Sequence, residues 1–185
     1  MKHSSSQEFW RYWDNQRGDG LAPDRSDFDP APMRHLLGDV FVLSCDQSGG
    51  YPFRVAGTRV CALLGRDMKG RSFANLFRGK DSREMEDILD IVSEEILPTV
   101  AGVEAISDNG SSVPLELLLL PFGARAHSPL SLTGLLVPLA ECHGQLRDFH
   151  LTSWRHIAAR QKSLVPRRLR KWPIARGFMI YEGLL

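Results

Sequence analysis

The spacing of apolar residues along the chain predicts five β-strands. Short apolar or alternating runs, two of them separated by the turn dipeptide Asn109-Gly110, are typical of paired strands. Pro138 marks the point where regular pairing of the last strand should end. The predicted strands are Val40–Leu43, Tyr51–Gly57, Thr99–Ile106, Ser112–Leu120 and Leu130–Leu139.

Apolar residues at helical spacing predict two main helices, Ser4–Arg17 and Asp81–Leu97. In the first, Phe9 and Trp13 lie four residues apart with Trp10 beside them, so an aromatic stripe follows one side of the helix. The second carries many acidic residues opposite its apolar side, which we interpret as a solvent-exposed face. Shorter helices are predicted at 31–37, Thr58–Gly65, Phe73–Phe77 and Leu151–Lys162.

Two strands, a group of helices and three further strands follow one another along the chain. This order favours one antiparallel five-stranded sheet with helices packed on one face, an α+β architecture preceded by an N-terminal flanking helix. We divide the chain into three parts. Residues 1–30 are the helix and an Asp/Pro-rich linker, residues 31–150 are the sheet domain, and residues 151–185 are a tail that is basic and then apolar.

Charge is distributed unevenly, although the 185 residues carry a formal net charge of only +1. The tail has eight basic residues and one acidic residue, so the rest of the chain is net acidic. A basic cluster of this kind can contact the phosphates of a nucleotide or nucleic acid, or an anionic membrane surface. It can equally be a solvated tail, or fold onto the acidic helix. The candidate anion or partner contacts are Arg167, Arg168, Arg170 and Lys171.

The residue patterns of the chain indicate no active site. The sequence has no nucleophile-elbow, P-loop, HExxH or CxxC motif, and its six histidines are not spaced as a metal-binding pair. Its three cysteines are too widely spaced for a disulfide framework or a zinc site. Glu104 and Glu116 are a candidate carboxylate pair for acid–base chemistry, but we interpret them as ordinary charges on a sheet. We therefore predict neither an enzyme nor a metal site.

Hydropathy and composition favour a globular protein of the cytoplasm. No stretch is long and apolar enough to cross a bilayer, and the first residues lack the apolar core of a signal peptide. Hydrophobic residues make up 43% and charged residues 24%, which argues against collagen-like and largely disordered chains. We therefore expect a cytoplasmic location and no transmembrane segment.

Four separated blocks form a pattern that is more specific than any one of them. They are Gly38–Leu43, Tyr51–Phe77 with the strand-to-helix junction AGT, Val113–Phe122 and Leu132–Leu139. Trp13 and the linker residues Arg25, Asp27, Asp29 and Pro30 precede them. In this order the blocks resemble the PAS-domain family, and in particular its short, free-standing bacterial members. The resemblance covers about residues 6–160.

The resemblance implies a PAS fold and a sensory or regulatory role without catalytic residues. PAS domains usually hold a ligand between the inner face of the sheet and the helices. Here large side chains either line a small apolar pocket at this place or simply fill it. A flavin site of the light-sensing kind is not expected, because the Asn/Gln-rich surroundings that bind the phosphate and ring of a flavin are missing around Cys61. The residues therefore name no cofactor. The candidate pocket residues are Phe53, Val55, Val60, Leu63, Phe73, Leu117, Leu119 and Leu136.

Together these features favour a non-catalytic sensory module of bacterial signalling that acts through homodimerisation and contact with a signalling protein. The candidate dimer contacts are Phe9, Trp10 and Trp13, together with the outer face of the sheet. A small apolar ligand in the inner pocket is compatible with this role. The alternative is a nucleotide- or nucleic-acid-binding regulator that uses the basic tail.

Overall fold

The computed structural model describes residues 1–45, 50–123 and 131–157, together with the backbone of residues 170–174 and 178–182. The helices are α1 (Ser4–Gln16), α2 (Thr58–Leu63) and α3 (Lys80–Glu94), with short 3-10 turns at Ala31–Met33 and Ala74–Leu76. The strands are β1 (Val40–Ser44), β2 (Phe53–Ala56), β3 (Thr99–Ser107), β4 (Ser112–Pro121), β5 (Ser131–Pro138), β6 (Leu146–His156), β7 (Arg170–Ile174) and β8 (Phe178–Glu182).

Strands β1 to β6 form one antiparallel sheet in the order β2-β1-β5-β4-β3-β6. The five predicted strands are confirmed, and so is the hairpin of β3 and β4 around Asn109-Gly110. β1 and β2 also pair with each other, antiparallel. Strand β5 lies between β1 and β4 and joins the pair β1–β2 to the pair β3–β4 in one sheet. The backbones of β7 and β8 pair with each other in a separate two-stranded sheet.

The sixth strand of the main sheet corrects the prediction of five. β6 pairs along the whole length of β3. Its second half begins at Leu151, the residue at which we predicted a helix to start. The edge of β3 offers backbone N–H and C=O groups that need partners, and Leu146 and Phe149 bury their side chains on the sheet. These long-range contacts outweigh the local helical spacing. Residues 158–162 of the predicted helix lie outside the described residues.

The predicted α+β architecture with an N-terminal flanking helix is confirmed, and this helix covers the face of the sheet opposite to α2 and α3. α2 and α3 pack on the inner face, against a core that includes Leu115 and Leu117. α1 and the linker pack on the outer face, against a second core that includes Leu118 and Leu120. Since successive side chains of a strand point to opposite faces, the run of leucines in β4 is buried on both sides.

α1 begins at a histidine cap and buries one side. The Nδ1 atom of His3 accepts a hydrogen bond from the backbone N–H of Ser5 at 3.1 Å, which supplies a partner for one of the free donors of the first turn. Ser6, Phe9 and Trp13 are buried, and their spacing of three and four residues places them on one side. The predicted aromatic stripe is therefore the packed side of α1.

α3 confirms the predicted long helix and its buried side. Met85, Ile88 and Leu89 are among the buried residues that face the inner core. Asp81 in the first turn is also buried, and its carboxylate accepts the backbone N–H of Leu151 at 3.3 Å. His150 Nδ1 lies 3.1 Å from the same carboxylate. The first turn of α3 is thus tied to β6.

Candidate functional site

The inner face brings most of the predicted pocket residues into one core. The rings of Phe41 and Phe73 stack at a centroid distance of 5.1 Å, and the ring of Phe53 lies 5.4 and 5.5 Å from them. Leu63 is partly buried and packs against the same core. Rings at these distances occupy space between sheet and helices where a ligand would otherwise lie. The predicted residues that are buried together are Phe53, Val60, Phe73, Leu117, Leu119 and Leu136.

Val55 lies apart from this core, because a β-bulge turns it to the outer face. Val42 pairs with Val55, but the next residue, Leu43, pairs with Phe53, so Arg54 is an extra residue in β2. Phe53 is buried inside, whereas Val55 is 59% exposed. Strict alternation had placed Phe53 and Val55 on one face, and the bulge corrects this placement.

The candidate dimer contacts on α1 are partly used within the chain itself. Phe9 is 1% exposed and Trp13 is fully buried in the outer core. The indole Nε1 of Trp13 donates a hydrogen bond to the carbonyl oxygen of Pro121 at 2.9 Å, which fixes α1 to the end of β4. Trp10 is half-buried and stacks on Trp13 at a centroid distance of 5.3 Å. Of the three aromatic residues, Trp10 is therefore the one that keeps part of its ring accessible.

Glu116 attaches the start of α1 to the sheet, a role that we did not predict. Its carboxylate, 4% exposed, accepts the backbone N–H groups of Lys2 at 2.5 Å and His3 at 3.1 Å. Burial raises the pKa of Glu116, but these donated hydrogen bonds outweigh it and the pKa lies below its usual value. A negative charge at the start of a helix is also favourable for the helix dipole. Glu104, in contrast, is exposed.

The linker between α1 and β1 lies on the outer face and is held by its polar residues. The hydroxyl of Tyr12 donates to the carbonyl oxygen of Asp29 at 2.6 Å, and the Asp29 carboxylate accepts the N–H of Ala31 at 2.9 Å. The ring of Phe28 contacts Phe122 edge-on at a centroid distance of 5.0 Å. The linker residues of the family pattern therefore build a strap across the sheet, which we call the linker strap (residues 18–37).

Arg59 joins the start of α2 to the residue before β1. Its guanidinium binds the carboxylate of Asp39 through two nitrogens, at 2.6 and 2.7 Å, and donates to the carbonyl oxygen of His35 at 2.7 Å. The hydrogen bonds to Asp39 raise the pKa of Arg59. This pair fixes the junction between the linker strap and the sheet.

The basic cluster of the tail is a prediction that the described residues leave open. Arg167 and Arg168 lie outside them, and only the backbone of Arg170 and Lys171 is described, as part of β7. Among the described residues, no three His, Cys, Asp or Glu side chains come together as a metal site. Within the same residues, no helix is long and apolar enough to span a membrane.

A sequence model of the PAS domain matches residues 1–137 of the 185 residues. The match includes α1, the linker strap and the sheet through most of β5. The chain therefore belongs to the PAS-domain family, and the predicted resemblance is confirmed. The domains of this family are in general sensory modules of signal transduction. No curated protein matches the chain.

Several solved structures are similar to this chain at low identity. The Rhodobacter sphaeroides LOV protein has 18% identity and a TM-score of 0.43, over 60% of this chain and 69% of that one. The light state of the blue-light photoreceptor Aureochrome1 LOV has 12% identity and a TM-score of 0.45, over 60% and 88%. The PAS domain of an HTR-like protein from Haloarcula marismortui has 18% identity and a TM-score of 0.41, over 59% and 90%. With scores this low, family membership rests on the sequence match.

Proposed function

We propose that this chain is a non-catalytic PAS sensory module of bacterial signalling, which acts in the cytoplasm through homodimerisation and contact with a protein partner. The observation that carries the proposal is the docking of α1 and the linker strap on the outer face of the sheet. The buried side chains of Phe9 and Trp13 hold α1 there. The hydrogen bond from Trp13 to Pro121, and those that the N–H groups of Lys2 and His3 donate to Glu116, add to this attachment. An element held in this way can be docked or released, and a ligand or partner that prefers one state shifts the population.

The exposed side of α1 is where we place the contact with a second copy. Trp10 is half-buried by its stacking on Trp13 and leaves the rest of its indole accessible. Aromatic residues of this kind are enriched at the centres of protein interfaces. In a twofold dimer the same side of α1 from both copies meets, so each Trp10 contributes to one continuous patch. A change in how α1 docks then changes the dimer.

Light scattering on the purified chain tests this proposal. The wild type is expected to have the mass of a dimer. Trp10→Ala, alone or together with Trp13→Ala, is expected to give monomers because it removes the central contact. Arg66→Ala is the matched control, since Arg66 is an exposed arginine that lies outside α1 and outside both cores. A monomeric wild type, or an unchanged dimer in Trp10→Ala, contradicts the proposal.

A second candidate function is nucleotide or nucleic-acid binding by the tail. The excess of basic residues after residue 150 favours it, because phosphate contacts by Arg and Lys supply most of such binding. Fluorescence anisotropy with a labelled oligonucleotide should then show an affinity that falls steeply with salt and is lost when residues 164–185 are removed. Binding that is insensitive to salt, or absent in the full chain, excludes this function.

A further inference from the structure

A groove of about 350 Å³ opens on the outer face of the sheet, at the opposite side from the inner core. The linker strap forms one wall with Phe28 and Met33, and the strands form the other with Val42 and Val55. Its volume lies at the lower end of the range of small-molecule sites, about 300–1,000 Å³. The groove is therefore large enough for one small ligand, and it is separate from the place where the PAS resemblance implies one.

The walls of the groove are apolar and partly open to solvent. Val55 is 59% exposed and Leu37 is 40% exposed, so apolar surface of the groove faces water. The floor is firm, because the ring of Phe122 is held edge-on by Phe28 and Phe28 also contacts Tyr12. Concave apolar surface that stays open to water is typical of a binding site.

One polar group, the guanidinium of Arg25, points to the chemistry of the ligand. It donates a hydrogen bond to the Thr133 hydroxyl at 3.1 Å and lies over the ring of Phe122 at 5.2 Å from the centroid. Burial lowers the pKa of Arg25, and the nearby charge of Arg54 lowers it further. In the part of the chain that the structure describes, neither Arg25 nor Arg54 forms an ion pair. Two neighbouring cations without a carboxylate partner are complementary to an anion.

We propose that this outer-face groove binds a medium-chain carboxylate, with its hydrocarbon chain along Phe28, Met33 and Val55 and its carboxylate on Arg25. Arg54, whose charge acts on Arg25, adds positive potential beside the groove, which favours an anion over a neutral or cationic head group. The role of such a ligand as a signal rests on the proposed function, because a ligand between the linker strap and the sheet favours the docked state of α1. The binding itself does not depend on that function.

The shape of the groove favours a single chain over a segment of a protein partner. The linker strap and the strands enclose its apolar length, and its described lining residues include one cationic side chain and no acidic one. A planar guanidinium binds both oxygens of a carboxylate at once, which gives orientation as well as charge pairing. A ligand with one carboxylate and one apolar chain satisfies every group that the groove presents.

Isothermal titration calorimetry with decanoate on the full chain tests the proposal. The wild type is expected to bind one decanoate per chain, and decylamine, with the same apolar chain and the opposite charge, is expected not to bind. Arg25→Gln should weaken binding at least about tenfold, because it removes a charge-assisted hydrogen bond. Arg66→Gln is the matched control, since Arg66 is an exposed arginine that does not line this groove. This variant should bind decanoate as the wild type does.

Val55→Glu provides a second variant whose folding is not at risk, because Val55 is an exposed residue of an edge strand. It places a negative charge in the groove and should abolish binding of decanoate. Absence of heat in the wild type overturns the proposal, and this is also the result expected if the groove takes a segment of a protein instead. Equal affinity in the wild type and Val55→Glu overturns it as well.

Light scattering on the same samples separates the two proposals. A dimer that does not bind decanoate overturns the groove and leaves the proposed function standing. A monomer that binds decanoate, and loses it in Arg25→Gln, confirms the groove and contradicts dimerisation.

Discussion

Glu116 places a carboxylate on the covered face of the sheet, where water is replaced by the backbone N–H groups of Lys2 and His3. Burial acts to raise the pKa of this carboxyl, and the donated hydrogen bonds lower it by more, so the folded pKa lies below its usual value. A carboxyl of this kind stabilises the fold at every pH above its unfolded pKa. The stabilisation is lost as the pH falls through the folded pKa.

Glu116→Gln should therefore lower the free energy of unfolding at neutral pH by about 1–3 kcal/mol, because it breaks charge-assisted hydrogen bonds in a buried place. Urea unfolding at a series of pH values measures the effect. The difference between wild type and variant should shrink as the pH falls below the usual carboxyl pKa of 4.5. Glu104→Gln, at an exposed carboxylate of the neighbouring strand, is the control. A difference that does not change with pH contradicts this account.

Residue placement could be predicted wherever a strand alternates without interruption. Leu117 and Leu119 lie in the inner core as their spacing implies, and Leu118 lies on the other face. Val55 could not be placed correctly, because the bulge at Arg54 is visible only in the pairing of β2 with β1. The role of Glu116 was hidden for a similar reason: nothing near it in sequence shows that the start of α1 lies above it.

In strand β5, Gly134 leaves the space that the ring of Phe41 in β1 occupies. Gly134 pairs directly with Phe41 of β1, and a Cβ at position 134 would overlap the phenyl ring of Phe41. That ring cannot move aside freely, because it stacks on Phe73 and also packs against Phe53. The close approach of β1 and β5 at this place therefore depends on glycine.

Gly134→Ala is expected to lower the free energy of unfolding by about 1–3 kcal/mol, because the added methyl group forces a packed ring out of its position. Gly123→Ala is the matched control: among the described residues, the nearest atom to its added Cβ is the Pro23 carbonyl oxygen at 3.7 Å, an ordinary contact. The control should change stability by less than about 0.5 kcal/mol. Urea unfolding compares the two, and equal stabilities would refute the overlap.

Elements defined by local spacing could be predicted, and those defined by a distant partner could not. α3 and the five strands of the predicted sheet each carry a clear period of apolar residues. β6 carries exposed residues over most of its second half, and its strand conformation comes from pairing with β3, far away in sequence. The cap of α1 is likewise the side chain of His3, a residue type seldom associated with this position.

At the scale of the whole molecule, helices cover both faces of the sheet, and the inner helices are attached to it more extensively than the outer one. The inner layer, α2 and α3, belongs to the larger core, whereas α1 is joined to the sheet mainly by Phe9, Trp13 and the Glu116 contacts. β4 lies inside the sheet with a paired strand on each side. We therefore expect α1 to open at a lower free energy than the sheet.

Native-state hydrogen exchange measures this difference. The amides of α1 are expected to show a smaller free energy of opening than those of β4, and Trp13→Ala should reduce the α1 values further because it removes the largest buried side chain of the helix. Arg11→Ala should leave them unchanged. Exchange of α1 and β4 at the same free energy would mean that the two unfold as one unit, and would remove the basis for a separate docking step.

Because of its bulge, the short strand β2 contributes one side chain to the inner core and another to the outer groove. Phe53 packs in the inner core and Val55 lines the outer groove, with Arg54 alone between them. Because two peptide units link their Cα atoms, a displacement of the strand moves both side chains together. β2 therefore connects the outer groove to the phenylalanine cluster through a single residue, so a ligand that displaced Val55 would also displace Phe53.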